Sequence, residues 1–143
     1  MKLKGTYKTT DSYIIGVIPL LDLREVGKSK KELFDKLTNR IKILFNEISN
    51  EEILCEIIID DLNNSDFEIY STDLNLFSSL LIKSLRYIEK ETQEKIATRL
   101  KMSRTSYKQY EEGKREPSIS KFNELINALG YEWELTLKRK VKK

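Results

Sequence analysis

Histidine is absent from this chain, cysteine occurs once, and proline and glycine are scarce, at two and five residues. Without histidine there is no imidazole to act as a base for a nucleophile or as a zinc ligand. The single Cys55 excludes a cysteine-cluster zinc site and any internal disulfide. Between Leu54 and Ile57 it reads as a small buried hydrophobe. Gly16, Gly27 and Gly113 stand isolated, so no glycine-rich loop is available to cradle a phosphate. No apolar run approaches the roughly 18 residues of a membrane span. Met1-Lys2-Leu3-Lys4 leads into no signal-peptide pattern, and a cytoplasmic protein is expected. Asp60, Asp61 and Asp66 read as solvated turn residues, because a loop starting at Asp61 lacks the glycine and closing glutamate of a calcium loop. No catalytic residue, metal or cofactor is expected, and an enzyme reading is rejected.

What the chain does contain is enough apolar material to fold, 39% of 143 residues, and an uneven distribution of charge. That length suits one domain or two small ones. The overall charge is +3, yet residues 1–73 carry 10 Lys/Arg against 14 Asp/Glu, whereas residues 74–143 carry 16 against 9. A basic half suits phosphate binding, and an acidic half repels nucleic acid and favours a basic protein partner.

The acidic half predicts an α+β domain of order β-β-(β)-α-β-β. Leu3 to Lys8 reads as a first strand, Tyr13 to Ile18 as a β-branched second strand ended by Pro19, and Leu23 to Val26 as a short third. Ser29-Lys30-Lys31-Glu32 is a capping box opening a helix to about Ile48, with Leu33, Leu37, Ile41, Leu44 and Ile48 on one stripe. Ile53 to Ile59 reads as a central strand, Asn63 to Asp66 as a turn, and Phe67 to Tyr70 as the returning strand.

In the basic half, Glu91 to Gly130 reads as two short helices joined by a tight turn and followed by a third. Ile96, Ala97 and Leu100 face inward from the first, and small Ala97 admits a close neighbour. Ser103 is a good N-cap for the next helix, which buries Tyr107 and Tyr110. Arg104, Thr105, Ser106, Lys108 and Gln109 are thereby left on an open face. Arg and Gln suit bidentate contacts to base edges, and Lys108 suits a base or a phosphate equally, as a helix in the major groove requires.

These residues resemble the Xre/Cro helix-turn-helix family. The match runs through Thr92-Gln93-Glu94, Ile96-Ala97, Ser103, Glu111, Gly113-Lys114-Arg115, Pro117 and Ala128-Leu129-Gly130, and covers roughly residues 76 to 130. The resemblance implies that Gln93 braces against the phosphate backbone and that Arg104, Thr105, Lys108 and Gln109 read bases. The expected DNA-binding set is Thr92, Gln93, Ser103, Arg104, Thr105, Ser106, Lys108, Gln109, Lys114 and Arg115. Where that family often has Gly in the turn, this chain has Lys101, which must accept a strained or left-handed backbone at about 1 kcal/mol.

A second resemblance lies between Asp11 and Leu37. Asp11-x-Tyr13 with its hydrophobic pair, Pro19, and Gly27-x-Ser29-x-x-Glu32-Leu33 are similar to the HicB antitoxin family, although its PDLPG loop is reduced to Pro19-Leu20-Leu21-Asp22. This resemblance implies a partial RNase H-like N-terminal domain, neutralisation of a small basic HicA-type toxin that cleaves mRNA, and autorepression of the operon. Three segments are expected: a toxin-binding domain at residues 1–72, the helix-turn-helix domain at 74–130, and a strand with basic tail at 131–143.

In that last segment Tyr131, Trp133, Leu135 and Leu137 alternate, which is the period of a strand. A lone strand after helices pairs either with its copy across a two-fold axis, dimerising the protein, or back on its own chain. Lys138-Arg139-Lys140 and Lys142-Lys143 suit phosphates or solvent equally. The chain is expected to be an antitoxin that binds operator double-stranded DNA as a dimer or larger assembly. The alternative is a stand-alone dimeric repressor whose N-terminal domain senses a ligand or only oligomerises.

Overall fold

The computed structural model describes residues 1–141. Its architecture is α+β, an antiparallel sheet backed by one helix followed by a helical region. Strand β1 (Leu3–Thr9) alternates buried Leu3, Gly5 and Tyr7 with exposed Lys4, Thr6 and Lys8, so one face of the sheet is apolar from the first strand onward. β2 (Ile14–Ile18) continues that face with Ile14, Gly16 and Ile18. Pro19 then opens a single 3-10 turn, and Asp22, left-handed at φ 51°, closes it into β3 (Leu23–Gly27). The third strand is therefore present, and the order matches the expected pattern.

Helix α1 (Lys30–Ser49) starts at Ser29, whose hydroxyl accepts from Glu32 N at 3.2 Å. The Glu32 carboxylate reaches back to Lys28 N at 3.0 Å, one residue before the cap. That bond, with help from Lys36, holds the carboxylate below its ordinary pKa. The buried stripe is Leu33, Leu37, Ile41, Phe45 and Ile48. Phe45, one i+4 step beyond Ile41, joins the buried stripe, and the expected Leu44 is half-buried against the same core. β4 (Ile57–Asn63) and β5 (Asp66–Ser71) form a hairpin whose turn, Asn63-Asn64-Ser65, has positive φ throughout.

The sheet order is β3-β2-β1-β5-β4. β4, expected at the centre from its apolar run, is an edge strand. β5 takes the free side of β1, pairing Gly5 with Phe67, which leaves β4 only β5. Gly5 is needed there, because the Phe67 ring lies where a Cβ would be. The strand also begins later than expected, and Ile53 to Glu56 lie outside the ladder. Cys55, expected to be buried, is half-buried there. Asp60 and Asp61 lie on β4 rather than in a turn, and Asp66 opens β5. Asp60 meets Lys2 at 3.6 Å, and Asp61 meets Lys30 at 3.0 Å and the Tyr7 hydroxyl at 3.1 Å.

Asp73 caps α2 (Leu74–Ile88) through Leu76 N. This helix is buried nearly all round: Phe77, Leu80, Leu81, Ile82 and Leu85 belong to one continuous core with α1, the sheet and the helices that follow. A helix apolar on all sides is a core element and not the first helix of a detached unit. The chain boundary at residues 72–74 is thus not a gap in packing. α3 (Gln93–Arg99), α4 (Arg104–Glu111) and α5 (Ile119–Ala128) complete the fold.

Residues 131–141 form no strand in the single chain. Tyr131 and Trp133 pack back instead: the Tyr131 hydroxyl bonds Glu89, and Trp133 Nε1 bonds Asn123 while its ring meets Phe122 edge-on. Leu135 and Leu137 remain exposed. A ladder needs a second strand, and among the described residues none pairs with this segment. The expectation for Lys142-Lys143 falls outside the described residues.

Candidate nucleic-acid interface

The interface is built from two short helices and the turn between them. Thr92 caps α3 by accepting from Lys95 N at 3.2 Å, and Ile96 and Ala97 are its buried side. The chain reverses at Lys101, whose φ of 54° is the left-handed conformation expected of it. Met102 N then bonds Ala97 O at 3.0 Å and locks the turn. Ser103 caps α4, accepting from Ser106 N at 3.1 Å and donating to the Ser106 hydroxyl at 2.9 Å. These two serines are therefore engaged with each other at the helix start.

On α4, Tyr107, Tyr110 and Glu111 are buried, and Arg104, Thr105, Lys108 and Gln109 are exposed. Positions 104 and 108, like 105 and 109, are one helical turn apart, so all four share the outward face. Beyond α4, Gly113 takes φ +68°, and its carbonyl accepts from Asn75 Nδ2 at 2.9 Å. Glu112 holds Lys114 at 2.8 Å and Lys108 at 3.3 Å. The Lys114 contact, followed by that with Lys108, depresses the Glu112 pKa. Arg115 lies over the Tyr110 ring at 5.3 Å. Thr92, Gln93 and the α4 face thus belong to one helix pair, with Lys114 and Arg115 on the turn that follows it.

Behind this surface lies a buried ion pair absent from the sequence reading. Arg86 of α2 donates through Nε to Glu111 Oε2 at 2.7 Å and through Nη2 to Oε1 at 2.8 Å. Its Nη1 donates to the Glu91 carbonyl at 3.1 Å. The hydrogen bonds to Glu111 raise the guanidinium pKa above its already high value, so Arg86 is charged at every working pH. Gln93 donates to Glu111 at 3.4 Å and accepts from Arg104 Nε at 3.2 Å, linking the buried pair to the exposed face. Gln93 is therefore held from both sides. The Tyr107 hydroxyl is buried beside Glu111 without a hydrogen bond. Burial, reinforced by the Glu111 charge, pushes its pKa far up. The available signal for the pair was a charged Glu111 one turn after buried Tyr107, together with a charged Arg86 inside an apolar run.

Residues 81–142 match the family model of a helix-turn-helix domain. No curated protein matches the chain. The C-terminal region is thus similar to a helix-turn-helix domain, a class of module associated with DNA binding and transcription regulation. Among the described residues no helix is long and apolar enough to cross a membrane.

Proposed function

We propose that this protein represses transcription by binding operator DNA as a dimer, and that its N-terminal sheet holds a small basic toxin of the HicA type. The observation that supports DNA reading most directly is the shared outward face of Arg104, Thr105, Lys108 and Gln109 on α4. Inserted in a major groove, that face presents bidentate and single donors to base edges. Thr92, Gln93, Lys114 and Arg115 flank it, where they are suited to phosphates. Two copies would dock about one helical turn, roughly 34 Å, apart on a pseudo-palindrome and occlude the promoter.

The antitoxin part rests on charge. Between Lys42 and Lys83 the chain carries no lysine or arginine and nine Asp/Glu residues. This window holds the β4–β5 hairpin and the sheet edge, where Lys2 and Lys30 neutralise only Asp60 and Asp61. A ribonuclease that grips RNA presents a basic surface, and such an edge is its complement. The stand-alone repressor remains the second reading, favoured by a core that runs unbroken from Leu3 to Leu129.

The test is to look beside the gene for a frame encoding a small basic protein, to purify the full chain together with its product, and to footprint the upstream DNA. A stable complex and a protected pseudo-palindrome are the expected results. Protection of DNA without a complex would reject the antitoxin part, and failure to select any sequence would reject the repressor.

A further inference from the structure

We infer that the groove between the start of the sheet and α5 binds a small hydrophobic cation, an alkyl chain ending in a substituted ammonium group. The groove measures about 570 Å³, within the roughly 300–1,000 Å³ usual for small-molecule sites. It lies where the start of β1, the 3-10 turn, α2, α5 and the segment after Gly130 meet. Leu3, Leu20, Leu81, Leu85 and Ile126 contribute an apolar lining, which suits a chain of methylenes.

The charged part of the lining is almost all of one sign. Glu116, Glu132 and Glu134 line the groove, and among the described residues none of the three is in an ion pair. Lys2, the one basic residue of the lining, is engaged by Asp60 at 3.6 Å and lies over the Tyr70 ring at 4.9 Å. A cleft with low-dielectric walls and carboxylates of one sign focuses a negative potential, so it draws a cation and repels a fatty anion or DNA.

Two rings add to that choice. Phe122 and Trp133 both line the groove and meet at 73° with centroids 5.7 Å apart, which makes an aromatic corner. The corner is fixed in place: Trp133 Nε1 donates to Asn123 at 2.9 Å, and two residues earlier the Tyr131 hydroxyl donates to Glu89 at 2.7 Å. A ring face attracts an ammonium group, more so where water is partly excluded. An uncharged alkane leaves the carboxylates unused, and a polyamine leaves the apolar lining unused. A cation with an alkyl tail uses carboxylates, rings and apolar lining together.

Trp133 is the only tryptophan of the chain, so its fluorescence reports on this groove. Titrating the full chain with decyltrimethylammonium, below its micelle-forming concentration, is expected to change that fluorescence saturably while the circular dichroism spectrum stays constant. The affinity is expected to be about tenfold higher than for decanoate, an anion of similar tail. Shortening the tail by two methylenes, to octyltrimethylammonium, is expected to weaken binding roughly tenfold. Glu132 and Glu134 are exposed, so replacing both by Gln leaves the core untouched. The double variant is expected to bind the cation about threefold to tenfold more weakly and decanoate no more weakly. No saturable change, a change seen only as secondary structure is lost, equal affinity for decanoate, or unaltered affinity in the double variant would overturn the assignment. A fluorescence change on dilution alone, without response to the cation, would give the groove to a second copy of the chain and overturn it as well. No DNA enters the measurement, so its result is independent of the repressor reading.

Discussion

Replacing Glu111 by Gln removes one charge from a pair whose side chains are only 10% (Arg86) and 2% (Glu111) exposed. The guanidinium then stays buried with the Glu91 carbonyl and a neutral amide as its acceptors. Breaking a buried pair from one side costs about 3–5 kcal/mol, because the surviving charge keeps its desolvation penalty. Gln is close in shape and retains an oxygen, and Nη1 keeps its bond to Glu91 O at 3.1 Å, so the cost belongs near the lower bound, about 3 kcal/mol. That is a large part of the roughly 5–15 kcal/mol that holds a domain folded. At about 2–4 °C per kcal/mol for a chain near this size, Tm should fall by roughly 6–12 °C. Urea unfolding followed by circular dichroism should show a lower midpoint with an unchanged slope. The double variant Arg86→Met/Glu111→Leu should recover most of the loss, since two apolar side chains leave no orphaned charge. A cost under about 1 kcal/mol for Glu111→Gln, or a double variant no better than the single one, would refute the argument from desolvation.

Lys101→Gly should stabilise the fold by about 0.5–1 kcal/mol, because glycine adopts the observed left-handed φ without a Cβ clash; a thermal melt showing destabilisation would contradict it. Tyr107→Phe should be neutral or stabilising by about 1 kcal/mol, since it deletes a buried hydroxyl that has no partner. A clear loss on urea titration would show that the hydroxyl is bonded to Glu111. Arg104→Ala should cost about 1–3 kcal/mol on the selected operator and relax preference at one base, with little effect on random DNA. Equal weakening on both in a mobility-shift titration would move Arg104 to the phosphate-contacting group. Lys114→Ala should weaken binding on all sequences alike and reduce the salt slope by about one unit.

Much of this fold was legible because its signals are local. The Ser29 cap, the period-two runs of β1 and β2, the Asn63-Asn64-Ser65 turn and the Ser103 cap each depend on a few consecutive residues, whereas the left-handed Lys101 was expected from the resemblance to a family with Gly there. The same locality exposed the outward face of α4, since burying Tyr107 and Tyr110 on a short helix leaves Arg104, Thr105, Lys108 and Gln109 no other side. Choice of partner was not legible. The three isoleucines of β4 suggested a central strand, but strand order is set by which edge β5 takes, and Phe67 takes it over Gly5. Leu44 is half-buried against the core while its neighbour Phe45 is fully buried, a depth set by neighbours from elsewhere in the chain.

By itself, then, the sequence determined most of the elements up to residue 130, their caps and the chemistry of the exposed α4 face, all matters of short-range sterics and periodicity. Tertiary structure alone decided what distant residues do for one another. It set Arg86 against Glu111 and made α2 common to the sheet and the helix-turn-helix. It also left Leu135 and Leu137 in solvent while Trp133 docked. The physical reason is that a charge is buried, or an apolar face left bare, only relative to neighbours brought in from elsewhere in the chain.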